Sequence, residues 1–138
     1  MRYLHLFRNI SNWSLYLAVK FSLTSVDPPL FRTRNNILIE APRRLLHEFK
    51  EIFMEECYMR GLGLDIPDSP TIIDIGANAG FFSLFAASRF PGARIFSYEP
   101  IEGNFRQLQR NRDLNRSWEI PQGRYNYSGA LYNIAGDI

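Results

Sequence analysis

The stretch that most constrains this 138-residue chain is Thr71-Ile72-Ile73-Asp74-Ile75 followed directly by Gly76-Ala77-Asn78-Ala79-Gly80. A short apolar run that ends in a glycine-rich turn and enters a segment with helical apolar spacing reads as strand, tight turn, helix. The helix is predicted over residues 81–90, with Phe82, Phe85 and Ala86 at packing positions. Pro91-Gly92 turns the chain, and Arg94-Ile95-Phe96-Ser97-Tyr98 is a second apolar strand. A further helix is predicted over residues 102–115, with Phe105 and Leu108 inward. Strands and helices alternating in this way predict an α/β fold with a parallel sheet and right-handed crossovers. A third strand is expected within residues 124–131 and a turn over 133–137, with Ile138 beginning another strand.

Parallel α/β sheets bind ligands at the carboxyl ends of their strands. Two acids fall near such ends, Asp74 in the first strand and Glu99 just after the second. Gly76 and Gly80 suit a turn that a ligand must approach, because neither carries a Cβ. The helix that follows turns free N–H groups and its positive dipole end toward that ligand. Glu99, 19 residues after Gly80, can accept hydrogen bonds from both hydroxyls of a ribose. The same acid disfavours a 2′-phosphate. A dinucleotide loop needs Gly-x-Gly-x-x-Gly. Here Asn78 stands at the second glycine, and no third glycine follows at the required spacing. A pyrophosphate is therefore poorly served, whereas a cationic sulfonium nucleoside suits the two acids.

The string from Ile72 to Leu84, with Tyr98-Glu99-Pro100 and Asn104-Phe105, resembles motif I and the following acid of class I S-adenosylmethionine-dependent methyltransferases, and the FkbM family in particular. Leu114-Asn115, the Phe31-to-Asn36 segment, the stretch from Phe49 to Tyr58 and the end of the chain from Ala130 also match segments of that family. The resemblance implies a Rossmann-like, doubly wound sheet and S-adenosyl-L-methionine as cofactor. It implies that the loop of Gly76, Ala77, Asn78 and Gly80 holds the methionine part and Glu99 the ribose, with Asp74 orienting the loop or meeting the ammonium group through water. Adenine would lie near Pro100, Ile101 and Gly129-Ala130. The implied reaction is methylation of a hydroxyl oxygen on a sugar or natural product, so the acceptor is a small molecule or glycan. A complete class I sheet has about seven strands. Only three are placed here, which leads to the expectation of a sheet truncated after its third core strand, with little or no activity alone.

Upstream, the expected organisation is a lead-in over residues 1–66 and the partial nucleotide-binding domain over 67–138. An amphipathic helix is predicted around Trp13, Leu15, Tyr16, Leu17 and Val19, ending at Asp27-Pro28-Pro29 because proline lacks the donor. Phe31-Arg32-Thr33 and Ile37-Leu38-Ile39 form a hairpin about Asn35-Asn36. Pro42 opens a helix whose stripe is Leu45, Phe49, Ile52, Phe53 and Glu56. Gly61 and Gly63 end that element, and Glu48, Glu51 and Glu55 form its solvated face. His5 and His47 both precede the glycine turn, so no general base is assigned. The catalytic residues are unknown.

Composition closes off other classes. With 16 basic and 14 acidic residues, the net charge of +2 does not call for nucleic acid. A single cysteine, Cys57, excludes an internal disulfide and a cysteine-built metal site, and favours a cytoplasmic setting. Sequons at Asn9, Asn12, Asn115 and Asn126 would matter only in a secreted protein. The aromatic-rich segment 3–23 is interrupted by Arg8, Asn9, Asn12 and Lys20, so firm membrane insertion is not expected, although a surface role stays open. Two alternatives to the methyltransferase are a non-catalytic binding module and, less favoured by Asn78, a NAD-dependent oxidoreductase.

Overall fold

The computed structural model describes residues 2–59 and 65–115. It is mixed α/β and divides into two compact units, residues 1–63 and 64–138. Each unit carries a two-stranded sheet among the described residues.

The first unit opens with α1 (Arg2–Asn9) and α2 (Trp13–Lys20). The helix expected around Trp13 to Val19 is α2, and α1 is another helix before it. The break is made by Ile10, which forms an isolated antiparallel bridge with Thr33. Around it, Ser11 N–H donates to Arg32 O at 2.7 Å, and Arg34 N–H donates to Asn9 O at 2.9 Å. The Asn12 carboxamide completes the pairing. Its Oδ1 accepts Arg32 N–H at 2.8 Å and its Nδ2 donates to Leu30 O at 2.9 Å. A side-chain amide carries the same donor and acceptor as a peptide, so Asn12 stands in for a strand residue. The second helix ends at Lys20, well before the expected proline stop at Asp27-Pro28-Pro29. Ser22 adopts φ +56° there, a left-handed angle that cannot continue a right-handed helix.

The hairpin pairs β1 (Leu30–Arg32) with β2 (Leu38–Glu40), antiparallel, with Phe31 opposite Ile39. Each strand is displaced by one residue from its sequence expectation. Thr33 is the reason, because it belongs to the turn: its Oγ1 accepts Ile37 N–H at 2.9 Å and its backbone O accepts Asn36 N–H at 3.0 Å. Asn36 takes φ +64°, the conformation asparagine tolerates best after glycine. A single 3₁₀ turn over Arg43–Leu45 follows Pro42 and leads into α3 (Leu46–Phe53).

Leu45, Phe49, Ile52 and Phe53 are buried as their spacing predicts. Phe49 is central. Its ring stacks on Phe31 at 4.4 Å and on Phe53 at 5.0 Å between centroids. Leu6 of α1, Ile10 between the helices, and Tyr16 and Val19 of α2 close this core. Glu56 departs from the predicted stripe. The helix stops at Phe53, and Glu56 at φ +50° pairs with Arg8 at 2.5 Å and accepts Asn9 Nδ2–H at 3.0 Å. His47 is exposed beside Glu51. Gly61 and Gly63 lie outside the described residues.

The second unit contains β3 (Thr71–Ile75), α4 (Phe81–Arg89), β4 (Arg94–Tyr98) and α5 (Glu102–Asp113). Both strands have the bounds read from the sequence. They pair in parallel, with Asp74 opposite Ser97 and Ile75 opposite Tyr98. A parallel pair requires a crossover between its strands, and α4 is that crossover. Phe81, Leu84, Phe85, Ala86 and Ala87 are all buried, so α4 is covered over more of its circumference than a one-sided stripe. Phe82, expected inward, is only half-buried, as is Phe105 of α5. The return turn is tight: a Cβ on Gly92 would lie 2.3 Å from Ser69 Oγ. The expected third strand and the turn after it lie outside the described residues.

Candidate functional site

Between β3 and α4 the chain makes two left-handed turns at glycine, Gly76 at φ +77° and Gly80 at φ +80°, and a third at Asn78, φ +50°. The loop is anchored to the end of β4. Gly76 N–H and Ala77 N–H both donate to Tyr98 O, each at 2.9 Å. Gly80 N–H then donates to Ala77 O at 2.7 Å and closes the turn before α4.

Glu99 follows Tyr98 and is buried, with 7% of its surface exposed. Its Oε2 accepts Asn78 N–H at 2.8 Å and its Oε1 accepts Ile101 N–H at 2.8 Å. The carboxylate therefore joins the loop after β3 to the loop after β4. Each oxygen has a second lone-pair site, so two more donors can be accepted. Glu99 was expected as a ribose ligand; its structural task in the free chain is to hold the loop.

Asp74 lies on the same strand face as its neighbour Ser97, and α4 brings Ser83 between them. Ser83 Oγ donates to Asp74 Oδ2 at 2.6 Å and lies 2.6 Å from Ser97 Oγ. Ser83 and Ser97 are fully buried. The Asp74 carboxyl is pushed above its ordinary range chiefly by burial, with a further rise from the nearby Glu99 charge; the Ser83 hydrogen bonds oppose this. Asp74 thus sits beneath the loop as an acid held by a serine pair.

The loop is backed by α5. Asn111, buried, donates from Nδ2 to Ala79 O at 2.9 Å. Leu108, also buried, closes on Gly80, where an added Cβ would lie 3.2 Å from Leu108 Cγ. Ser83, Ser97, Leu108 and Asn111 are thus parts of the site that had no role in the sequence reading, except that Leu108 was placed inward.

Two features test whether a sulfonium nucleoside with an amino-acid tail fits here. A Cβ built on Gly76 meets nothing within 4 Å, so the space over this glycine is open. Asn78 Oδ1 is buried and has no hydrogen-bond partner. A buried acceptor without a donor is costly, and an ammonium group supplies donors. The residues present therefore fit the cofactor. Ile101, expected near adenine, is an exposed apolar residue directly after Glu99-Pro100. Ala130 lies outside the described residues. Among those described, no cluster of histidine, cysteine and acids is arranged to hold a metal.

Comparison with known proteins agrees with the motif. A 63-residue stretch is 43% identical to the AMB antimetabolite synthetase AmbE of Pseudomonas aeruginosa, covering 46% of this chain and 3% of that protein. A 67-residue stretch is 40% identical to methyltransferase sdnD of Sordaria araneosa, covering 49% of this chain and 25% of the other. A 68-residue stretch is 36% identical to the 31-O-demethyl-FK506 methyltransferase FkbM of Streptomyces tacrolimicus, covering 49% and 26%. The chain thus spans about a quarter of the length of these two methyltransferases. No family model matches, and no solved structure matches. About half of the chain is homologous to FkbM-type methyltransferases.

Proposed function

We propose, from the homology to FkbM-type methyltransferases, that this chain carries the S-adenosyl-L-methionine-binding portion of such an enzyme, built on a doubly wound Rossmann-like sheet. The observation that carries the reading is the loop itself. Asn78 is fixed by Glu99 through its backbone, and its side-chain Oδ1 is buried without a donor.

When bound, the cofactor supplies a methyl group already activated on a sulfonium, so the protein's part is binding and orientation. Glu99 would use its remaining lone pairs for the ribose hydroxyls while still holding both loops. Gly76 leaves room for the methionine part, and Asn78 Oδ1 would accept from its ammonium group. Asp74 adds negative charge at the same strand end. Pro100 and Ile101 would lie beside adenine. The acceptor we favour is a hydroxyl on a sugar or natural product, and the setting the cytoplasm. No residue is assigned here to the acceptor pocket or as a general base.

Calorimetric titration with S-adenosylhomocysteine tests the cofactor reading, with NAD as the competing ligand. Binding of the first is expected, and Glu99→Gln should weaken it at least tenfold, because an amide nitrogen cannot accept a hydrogen bond. A tenfold loss corresponds to about 1.4 kcal/mol, just under the roughly 1.5–3 kcal/mol of a charge-assisted bond, so it is the least effect expected. NAD binding without S-adenosylhomocysteine binding would sink the proposal.

A further inference from the structure

Helix α1 and the loop that follows α2 carry apolar side chains that face outward. Leu6 of α1 and Tyr16 and Val19 of α2 are buried, yet Leu4 is 66% exposed, Phe21 62%, Leu23 78% and Val26 48%. Single exposed apolar residues are ordinary, but five of the ten large exposed apolar side chains among the described residues lie within the first 26. Those residues contain no aspartate or glutamate and three basic side chains, Arg2, Arg8 and Lys20, of which Arg8 is paired with Glu56.

The surface is built, not frayed. Lys20 Nζ donates to the Tyr3 hydroxyl, and it lies 5.1 Å from the Tyr3 ring centroid and 5.4 Å from that of Phe21. This joins the start of α1, beside Leu4, to the end of α2. The loop after α2 is held by Arg43. Its guanidinium donates to Thr24 O and, at 3.3 Å, to Val26 O, and its backbone N–H donates to Asp27 Oδ1 at 3.0 Å. Phe21, Leu23 and Val26 are thereby carried on a loop with fixed hydrogen bonds. Arg34 donates to Phe7 O at 2.9 Å and adds a cation at the other end of α1.

The geometry points to an anionic phospholipid surface as the partner of this face. Exposed aliphatic and aromatic side chains interleaved with lysine and arginine, with acids absent from the segment, complement acyl chains and negatively charged headgroups together. A second protein copy would place the same cations against each other across a symmetric contact. No described helix is long and apolar enough to cross a membrane, so the association is peripheral. The inference is independent of the cofactor proposal, since every residue it uses lies in the first unit.

Vesicle sedimentation of the full chain provides the test. The chain should partition onto phosphatidylcholine–phosphatidylserine vesicles at low salt, and release as salt rises. Phe21→Ser with Leu23→Ser should weaken partition at least tenfold, and Lys20→Ser about fivefold. Circular dichroism checks that the fold is kept; should the double variant not fold, Leu4→Ser with Val26→Ser replaces it. Equal partition onto phosphatidylcholine alone, undiminished partition of a folded variant, or no partition at all would overturn the inference. A stable dimer abolished by Leu23→Ser, without vesicle binding, would instead assign the face to a second copy.

Discussion

Gly76 and Gly80 share a left-handed backbone but differ in what surrounds them. At both, alanine costs about 1–2 kcal/mol because a Cβ clashes with the following carbonyl at positive φ. At Gly80 the Cβ also presses on Leu108, whereas at Gly76 it enters open space. Gly80→Ala should therefore lower Tm more than Gly76→Ala. Calorimetry with S-adenosylhomocysteine should show the reverse order in binding relative to stability, with Gly76→Ala losing at least tenfold in affinity while folded. Asp74 supplies a second residue-scale prediction. Its folded-state pKa is raised by burial, so the stability it allows is fully present below the unfolded carboxyl range and is lost as pH rises through the folded value. Asp74→Asn keeps a partner for Ser83 and removes the charge. The variant should match the parent chain in Tm at acid pH and exceed it at neutral pH, the gap opening through the raised carboxyl range, while its affinity for the cofactor falls.

Among the elements, α5 is a brace as much as a layer. Asn111 is buried with its amide on Ala79 O, so Asn111→Ala leaves a loop carbonyl without its donor and should cost about 1–3 kcal/mol. A positioning role predicts more than lost stability: S-adenosylhomocysteine affinity should fall even at temperatures where the variant is fully folded. How far such elements were legible differs along the chain. β3 and β4 were readable to the residue because each is a short apolar run bounded by proline or glycine. Glu99 was readable because a crossover of fixed length places the residue after β4 beside the loop after β3. Asn111 was not, since its partner depends on how α5 packs, though its place one turn beyond Leu108 was an available signal. Ser83 offered another signal, a hydroxyl inside an otherwise apolar helix. The apolar spacing around Trp13 to Val19 was legible as α2, whereas α1 and the break before α2 were not, because Asn9 and Asn12 form long-range bonds that local pattern does not reveal. The stripe was carried on to Glu56 because periodicity does not mark where α3 stops.

On the scale of the whole molecule, the two units have separate cores. One is centred on Phe49 among Phe31, Tyr16 and Phe53, and the other on Ile95 and the buried side of α4. Phe49→Ala removes about 3–5 kcal/mol from the first core. Amide hydrogen exchange should show loss of protection in β1, β2 and α3, with the β3–β4 ladder retaining its own. Uniform loss across both units would contradict separate cores.

Asn12 has a consequence at the same scale. A two-stranded hairpin leaves the outer backbone of each strand open, and such an edge is a template on which other chains can add strands. Here the outer edge of β1 is already occupied by Ser11 and by the Asn12 amide, which take Arg32 O, Arg32 N–H and Leu30 O. One side chain, by imitating a peptide bond, denies that edge to intermolecular strand growth.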